Sequence, residues 1–168
     1  SDKPTLTSDY TYARHVDWMA SLLFDQLDIT GATFFGQDWG GLVGLRLVAA
    51  APERFVRAVV SNTGFPAGDG KVTDAFLAWQ TYSRETPTLD IGRLVASGCV
   101  DPLTPGEVAA YDAPFPDDSY KAGARIFPSL MPMTADDPAT PDNRAAWEVL
   151  ERFEKPFVCA FSDSDPIT

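Results

Sequence analysis

Apolar residues recur three or four positions apart at Val16, Met19, Leu23 and Leu27, so residues 12–27 are expected to form a helix with one inward face, stopped by Asp28-Ile29-Thr30-Gly31. A short apolar run at 32–36 reads as a strand. Leu42, Val43, Leu45, Leu47 and Val48 then crowd into an alanine-rich segment, which reads as a buried helix ending near Pro52-Glu53, and 56–61 reads as a second strand. Strand, helix, strand is the repeating unit of a parallel sheet with right-handed crossovers. After Gly64 the pattern changes. Short helical pieces at 72–82, 91–96, 105–111 and 118–127 are broken by Gly, Pro and Asp, with no stretch of period two, as expected of a helical insertion. A proline-rich stretch at 132–141 leads back to the sheet. Residues 143–153 read as a helix with Asp142 at its N-cap, and 157–161 as a strand. The expected organisation is a sheet-and-helix core at 1–64, a helical insertion at 65–137, and the core again at 138–168.

Between the first strand and its helix stands Gly36-Gln37-Asp38-Trp39-Gly40-Gly41, a small-x-nucleophile-x-small turn with aspartate in the nucleophile's seat. Such a turn strains its central residue, and glycine is expected on both sides because a Cβ there would collide with the adjoining strand and helix. Asp38 is then held at the top of the sheet. An ionised carboxylate needs no base to attack a saturated carbon, displace a leaving group and form an ester on the enzyme. Water must hydrolyse that ester, a step usually served by a histidine that a second carboxylate orients, in the chain order nucleophile, acid, histidine. Asp165, in the loop past the last strand, stands where the acid belongs; it is preferred to Asp163 because Pro166 marks the turn at which that loop leaves the strand. The alternative is that Ser162-Asp163-Ser164-Asp165 is a solvated acidic turn. His15 is the only histidine and precedes the nucleophile, so it is expected to be a helix residue and not the base. The catalytic histidine is therefore expected beyond Thr168, and the first strands and the second oxyanion-hole amide before Ser1. The chain reads as the middle of a longer protein.

Composition narrows the partners. The 168 residues are 45% hydrophobic and carry a formal charge of -11, so a core can form but no basic patch exists to displace counterions from nucleic acid. Cys99 and Cys159 make neither a disulfide framework nor a C-x-x-C site, and are expected to be reduced, buried packing thiols. No run approaches the roughly 18 apolar residues of a membrane span, and no signal-peptide pattern opens the chain. A cytoplasmic monomer is the expectation, with the periplasm open, and neither a metal nor an organic cofactor is expected.

Trp39 follows the nucleophile, so its backbone N–H belongs to the oxyanion hole while its indole lies on the substrate side. An indole donates and never ionises, which suits a departing halide: a weak base that needs hydrogen bonds but no proton. One donor is seldom enough. Trp79, within Phe76-Leu77-Ala78-Trp79, is a candidate second donor, with a packing tryptophan as the alternative.

Together these residues resemble the haloalkane dehalogenases, a branch of the α/β-hydrolase fold. Gln37-Asp38-Trp39-Gly40-Gly41 matches that family's elbow. Ser1-Asp2-Lys3-Pro4 is similar to the tail of an early loop, and Tyr10-Thr11-Tyr12 with His15-Val16-Asp17-Trp18-Met19 to the next helix. Asp74-Ala75-Phe76-Leu77-Ala78-Trp79, Ala113-Pro114-Phe115-Pro116 and Phe127-Pro128 are similar to segments of its cap. The resemblance implies a mostly parallel sheet with an inserted helical cap, truncated here at both ends. It also implies Asp38 as nucleophile, Asp165 as acid, Trp39 and Trp79 as halide clamp, and Phe76, Phe127 and Pro128 as the lining of an apolar pocket. Substrate and products would be a small haloalkane, water, an alcohol and a halide. One subfamily carries a glutamate after the strand that follows the elbow; here that place reads Ser61-Asn62-Thr63, without a carboxylate. An epoxide hydrolase of the same fold is the nearest rival, with Tyr82, Tyr111 and Tyr120 available to protonate an alkoxide, and a non-catalytic ligand receptor is the alternative from another class. A fluoroacetate-type dehalogenase would place arginine where Trp39 stands, and a serine esterase would place serine at position 38.

Overall fold

The computed structural model describes residues 3–70, 72–163 and 165. Strand β1 (Ala32–Gln37) alternates, with Thr33, Phe35 and Gln37 exposed and Ala32, Phe34 and Gly36 turned inward, as a strand covered on one face requires. It pairs in parallel with β2 (Phe55–Ser61), Gly36 facing Val60 and Gln37 facing Ser61. β2 pairs in turn with β3 (Phe157–Cys159), also in parallel, giving the order β1-β2-β3 among the described residues. β3 is shorter than the expected 157–161, although one further bond, Ala160 N–H to the Val60 carbonyl at 2.8 Å, continues its direction. The parallel order follows from the crossover helix that joins β1 to β2.

That helix, α2 (Trp39–Ala50), buries Leu42, Leu45, Leu47 and Val48. With Tyr12, Val16 and Phe55, three of them, Leu42, Leu47 and Val48, build the core cluster against which Phe34 and Phe24 also pack. Leu42 and Val48 are fully enclosed, and each such side chain contributes about 1.5–3 kcal/mol relative to exposure. Helix α1 (Tyr12–Ala20) starts at Thr11, whose side chain accepts the Arg14 N–H, and runs on into a wider, π-helical turn at Ser21–Gln26. The expected helical stretch is thus present, but its expected inward face is not continuous. Val16 is buried and Leu23 packs on the core, whereas Met19 and Leu27 are exposed. The bond from Leu27 N–H to the Leu22 carbonyl spans five residues rather than four, which shifts the face presented by this last turn.

Two compact units divide the chain. One comprises Thr11–Phe76 with the described residues from Met131 onward; the other comprises the described residues up to Tyr10 with Leu77–Leu130. Helix α3 covers Asp74–Glu85. In the second unit, α4 (Ile91–Ser97) is capped by Asp90, and α5 (Pro105–Asp112) by a reciprocal pair in which Thr104 and Glu107 satisfy each other's backbone N–H. Gly92 lets α4 meet α5: its N–H donates to Asp112 Oδ1 at 2.8 Å, and a Cβ there would strike Val108 and Asp112. The Arg125 guanidinium, on α6 (Ala122–Ile126), donates to the Thr86 carbonyl at 2.8 Å and so caps the end of α3. No strand occurs between 65 and 137 among the described residues.

In the first unit the returning helix α7 spans Thr140–Leu150. Its N-cap is Ala139, which corrects the expectation of Asp142 at that place; Pro141 is the second residue of the helix, and Asp142 lies in the first turn, where it bonds Arg46 of α2 at 2.9 Å. The cysteines also depart from expectation. Both are exposed: Cys99 lies just past α4 with its thiol donating to the Val95 carbonyl, and Cys159 ends β3, which has β2 as its one partner strand among the described residues.

Candidate active site

Asp38 occupies the one-residue gap between β1 and α2, with φ 50° and ψ −127°. Few residues other than glycine accept this region, and it persists because the surroundings over-determine it. The Asp38 N–H donates to the Asn62 carbonyl at 3.0 Å, while its own carbonyl accepts from Gly41 N–H at 2.9 Å and from Thr63 Oγ1 at 2.7 Å. A Cβ on Gly36 would run into Phe34 and the backbone of Gly40 and Gly41, as the turn requires. At Gly40 the expectation fails: nothing lies within 4 Å of a Cβ built there. The tight place is one residue on, at Gly41, where a Cβ would overlap the Thr63 side chain. The physical reason is helical geometry, since Gly40 points off the outer side of the first turn of α2 while Gly41 faces Thr63, just past β2.

Asp38 remains exposed at the crest of the sheet. Partial burial nonetheless raises its carboxyl above the usual aspartate range; the Trp39 N–H, which hydrogen-bonds the carboxylate, opposes that rise, and the charge of Asp165 adds to it. The solvent access of the residue as a whole keeps the desolvation incomplete. Trp39 opens α2, half-buried, its indole edge-on to Tyr12 with centroids 5.3 Å apart. Tyr12 is fixed in turn by its hydroxyl, which donates to the Leu42 carbonyl at 2.6 Å, and burial drives its phenol well above the usual range.

Asp165 belongs to the same unit as Asp38. Its Oδ2 accepts from Asn62 Nδ2 at 2.7 Å. Pro166, on which the preference for Asp165 over Asp163 rested, lies outside the described residues, as do Ser164, Ser1 and Asp2. In the sequence the place of Asn62 is marked only by the lack of a carboxylate, and its bond to Asp165 is visible in the structure alone. The available signal was an asparagine directly after a strand, a residue type that accepts positive φ; here φ is 38°.

The remaining candidates are divided between the units. Phe76 is buried in the unit that holds Asp38, at the first turn of α3, where its N–H donates to Thr73 Oγ1. In the other unit Trp79 is half-buried and stacks on Tyr82, with centroids 6.1 Å apart. There too Phe127 lies edge-on to Tyr10, and Pro128 is buried with its carbonyl accepting from Gln80 Nε2. His15 sits on α1, its Nδ1–H donating to the Thr11 carbonyl at 2.6 Å and its ring edge-on to Trp18. No group of three His, Cys, Asp or Glu able to hold a metal occurs among the described residues, and no helix among them is long and apolar enough to cross a membrane.

Comparison with known proteins bears on the fold and the family resemblance. Residues 1–80 match a family model described as the alpha/beta hydrolase fold. A haloalkane dehalogenase of Psychrobacter cryohalolentis is 54% identical over 168 residues, covering all of this chain and 55% of that protein. One from Mycobacterium marinum is 50% identical, covering 99% of this chain and 56% of its own length. Among solved structures, the haloalkane dehalogenase DpaA of Paraglaciecola agarilytica NO2, described as tetrameric, superposes with a TM-score of 0.85 at 30% identity, covering 94% of this chain and 53% of that one. The chain thus spans about half the length of the curated relatives it matches. It has the α/β-hydrolase fold, and over its whole length it is homologous to the haloalkane dehalogenases.

Proposed function

We propose that the whole protein hydrolyses small haloalkanes to an alcohol, a halide and a proton through an alkyl ester on Asp38. The observation that carries the reading is a carboxylate held exposed at positive φ on a strand-to-helix elbow, with a second carboxylate, Asp165, tied to the same turn through Asn62. An Asp38 oxygen attacks the carbon in line, the carbon–halogen bond breaks, and the electron pair leaves with the halide. Water then adds to the ester carbonyl and the alcohol departs. A histidine outside this sequence, which Asp165 orients, takes the water proton and returns it to the departing alkoxide, and Asp38, left as the acid, gives up its own proton to solvent. The developing oxyanion is met by the Trp39 N–H, already directed at the Asp38 carboxylate.

The Trp39 indole serves as one halide donor and Trp79 as the second; for Trp79 the support is its sequence resemblance. Phe76, Phe127 and Pro128 are proposed to line the apolar pocket, within an insertion at 65–137 that acts as the cap. The chemistry calls for no cofactor, because the nucleophile carries its own charge. A cytoplasmic monomer completes the reading, and sedimentation of the whole protein decides the oligomeric part.

The test is bromide release from 1-bromobutane by the whole protein. Asp38→Asn is expected to lower it by at least about a thousandfold. Trp79→Phe is expected to weaken bromide binding about tenfold or more, one donor to an anion being lost. Unchanged bromide affinity would remove Trp79 from the site, and formation of a diol from an epoxide, without bromide release, would favour the epoxide hydrolase.

A further inference from the structure

Asn62 directly follows β2 and makes contact in two directions. Its backbone carbonyl accepts the Asp38 N–H at 3.0 Å, so it helps to hold the strained elbow. Its side chain reaches the loop after β3, where Nδ2 donates to Asp165 Oδ2 at 2.7 Å and Oδ1 accepts the Ser162 N–H at 3.2 Å. Ser61 Oγ adds a longer contact to the same Oδ1 at 3.4 Å. The backbone stands at φ 38°, where glycine would be the residue of least strain if the turn alone mattered. Asparagine tolerates that conformation and also brings an amide able to donate and accept at once. A neutral donor suits the place, because Asp165 already bears on Asp38 as a like charge and another anion would add to the repulsion.

We propose that Asn62 is a positioning residue for ester hydrolysis: its side-chain amide sets the orientation of the Asp165 carboxylate relative to the elbow that carries Asp38. The inference rests on the reading of Asp38 as nucleophile and Asp165 as the acid that orients a histidine. It assigns the Asn62 side-chain amide to the second chemical step alone. Halide displacement needs Asp38 and its donors, whereas breakdown of the ester needs a base held in place, and hence an acid held in place.

Asn62→Gly and Asn62→Ala in the whole protein separate this role from a structural one. Both delete the amide, but glycine relieves the left-handed backbone and alanine does not. In single-turnover reaction with 1-bromobutane, both variants are expected to release the first equivalent of bromide within about twofold of the unsubstituted rate and then to accumulate the Asp38 ester. Hydrolysis of that ester should slow by about tenfold to a hundredfold, the loss of one hydrogen bond to a charged group. Hydrolysis at the unsubstituted rate in Asn62→Gly would overturn the proposal, since only the backbone would then matter. Equal slowing of both steps would overturn it too, as a general loss of structure. Glycine keeps the fold accessible, and thermal unfolding of both variants verifies it. Absence of bromide release from the unsubstituted protein would defeat the dehalogenase reading and this one together, an outcome distinct from the other two.

Discussion

Asp38 combines two costs that a purely structural residue would avoid, a left-handed backbone and a carboxylate partly removed from water beside another carboxylate. An aspartate that titrates higher in the folded than in the unfolded chain gives its full contribution to stability below the unfolded value, and loses it as pH rises through the folded value. Ionised Asp38 therefore opposes folding at neutral pH. Asp38→Asn keeps the tolerance for positive φ and an acceptor for the Trp39 N–H while discarding the charge. It is expected to raise the thermal unfolding midpoint at neutral pH even as bromide release is lost, and the two curves should converge in acid below the ordinary aspartate range. A lower midpoint at neutral pH would mean that the Trp39 hydrogen bond outweighs burial. At this scale the elbow and the proposed nucleophile on it were legible in the sequence, because the spacing of glycines around an aspartate is a local signature of the strand-to-helix turn. The sequence concealed Asn62, whose contacts depend on φ and on a loop 103 positions away.

At the level of elements, the close packing of β1 and β2 with α2 rests on glycine at particular places. Gly41→Ala would press a methyl group into Thr63 and displace the hydroxyl that donates to the Asp38 carbonyl, at a cost of about 1–3 kcal/mol in denaturant unfolding. Gly40→Ala meets open space inside a helix and is expected to leave stability unchanged or to raise it by up to about 1 kcal/mol. Equal losses at the two positions would contradict this account of the elbow. The helices and the parallel strands were legible from periodicity, since Leu42, Leu45, Leu47 and Val48 must all be buried and α2 must cross from β1 to β2. What periodicity could not show was the π-helical turn that exposes Leu27, or which of two adjacent glycines faces Thr63. Both depend on a local rotation of the helix that leaves the hydrophobic pattern almost unchanged.

Over the whole molecule, the chain brings Asp38, Asn62 and Asp165 together by laying β2 between β1 and β3, so that the proposed site lies just past the C-terminal ends of parallel strands. Ligands of open α/β sheets gather at such ends for the same reason. The central claim is that the oxygen of Asp38 becomes part of the product and is replaced from water. One turnover of the whole protein with 1-bromobutane in heavy-oxygen water, followed by mass spectrometry of the peptide containing Asp38, tests it directly. The account predicts the label in the Asp38 carboxylate and ordinary oxygen in the first-turnover alcohol; label in the alcohol with none on Asp38 would contradict it.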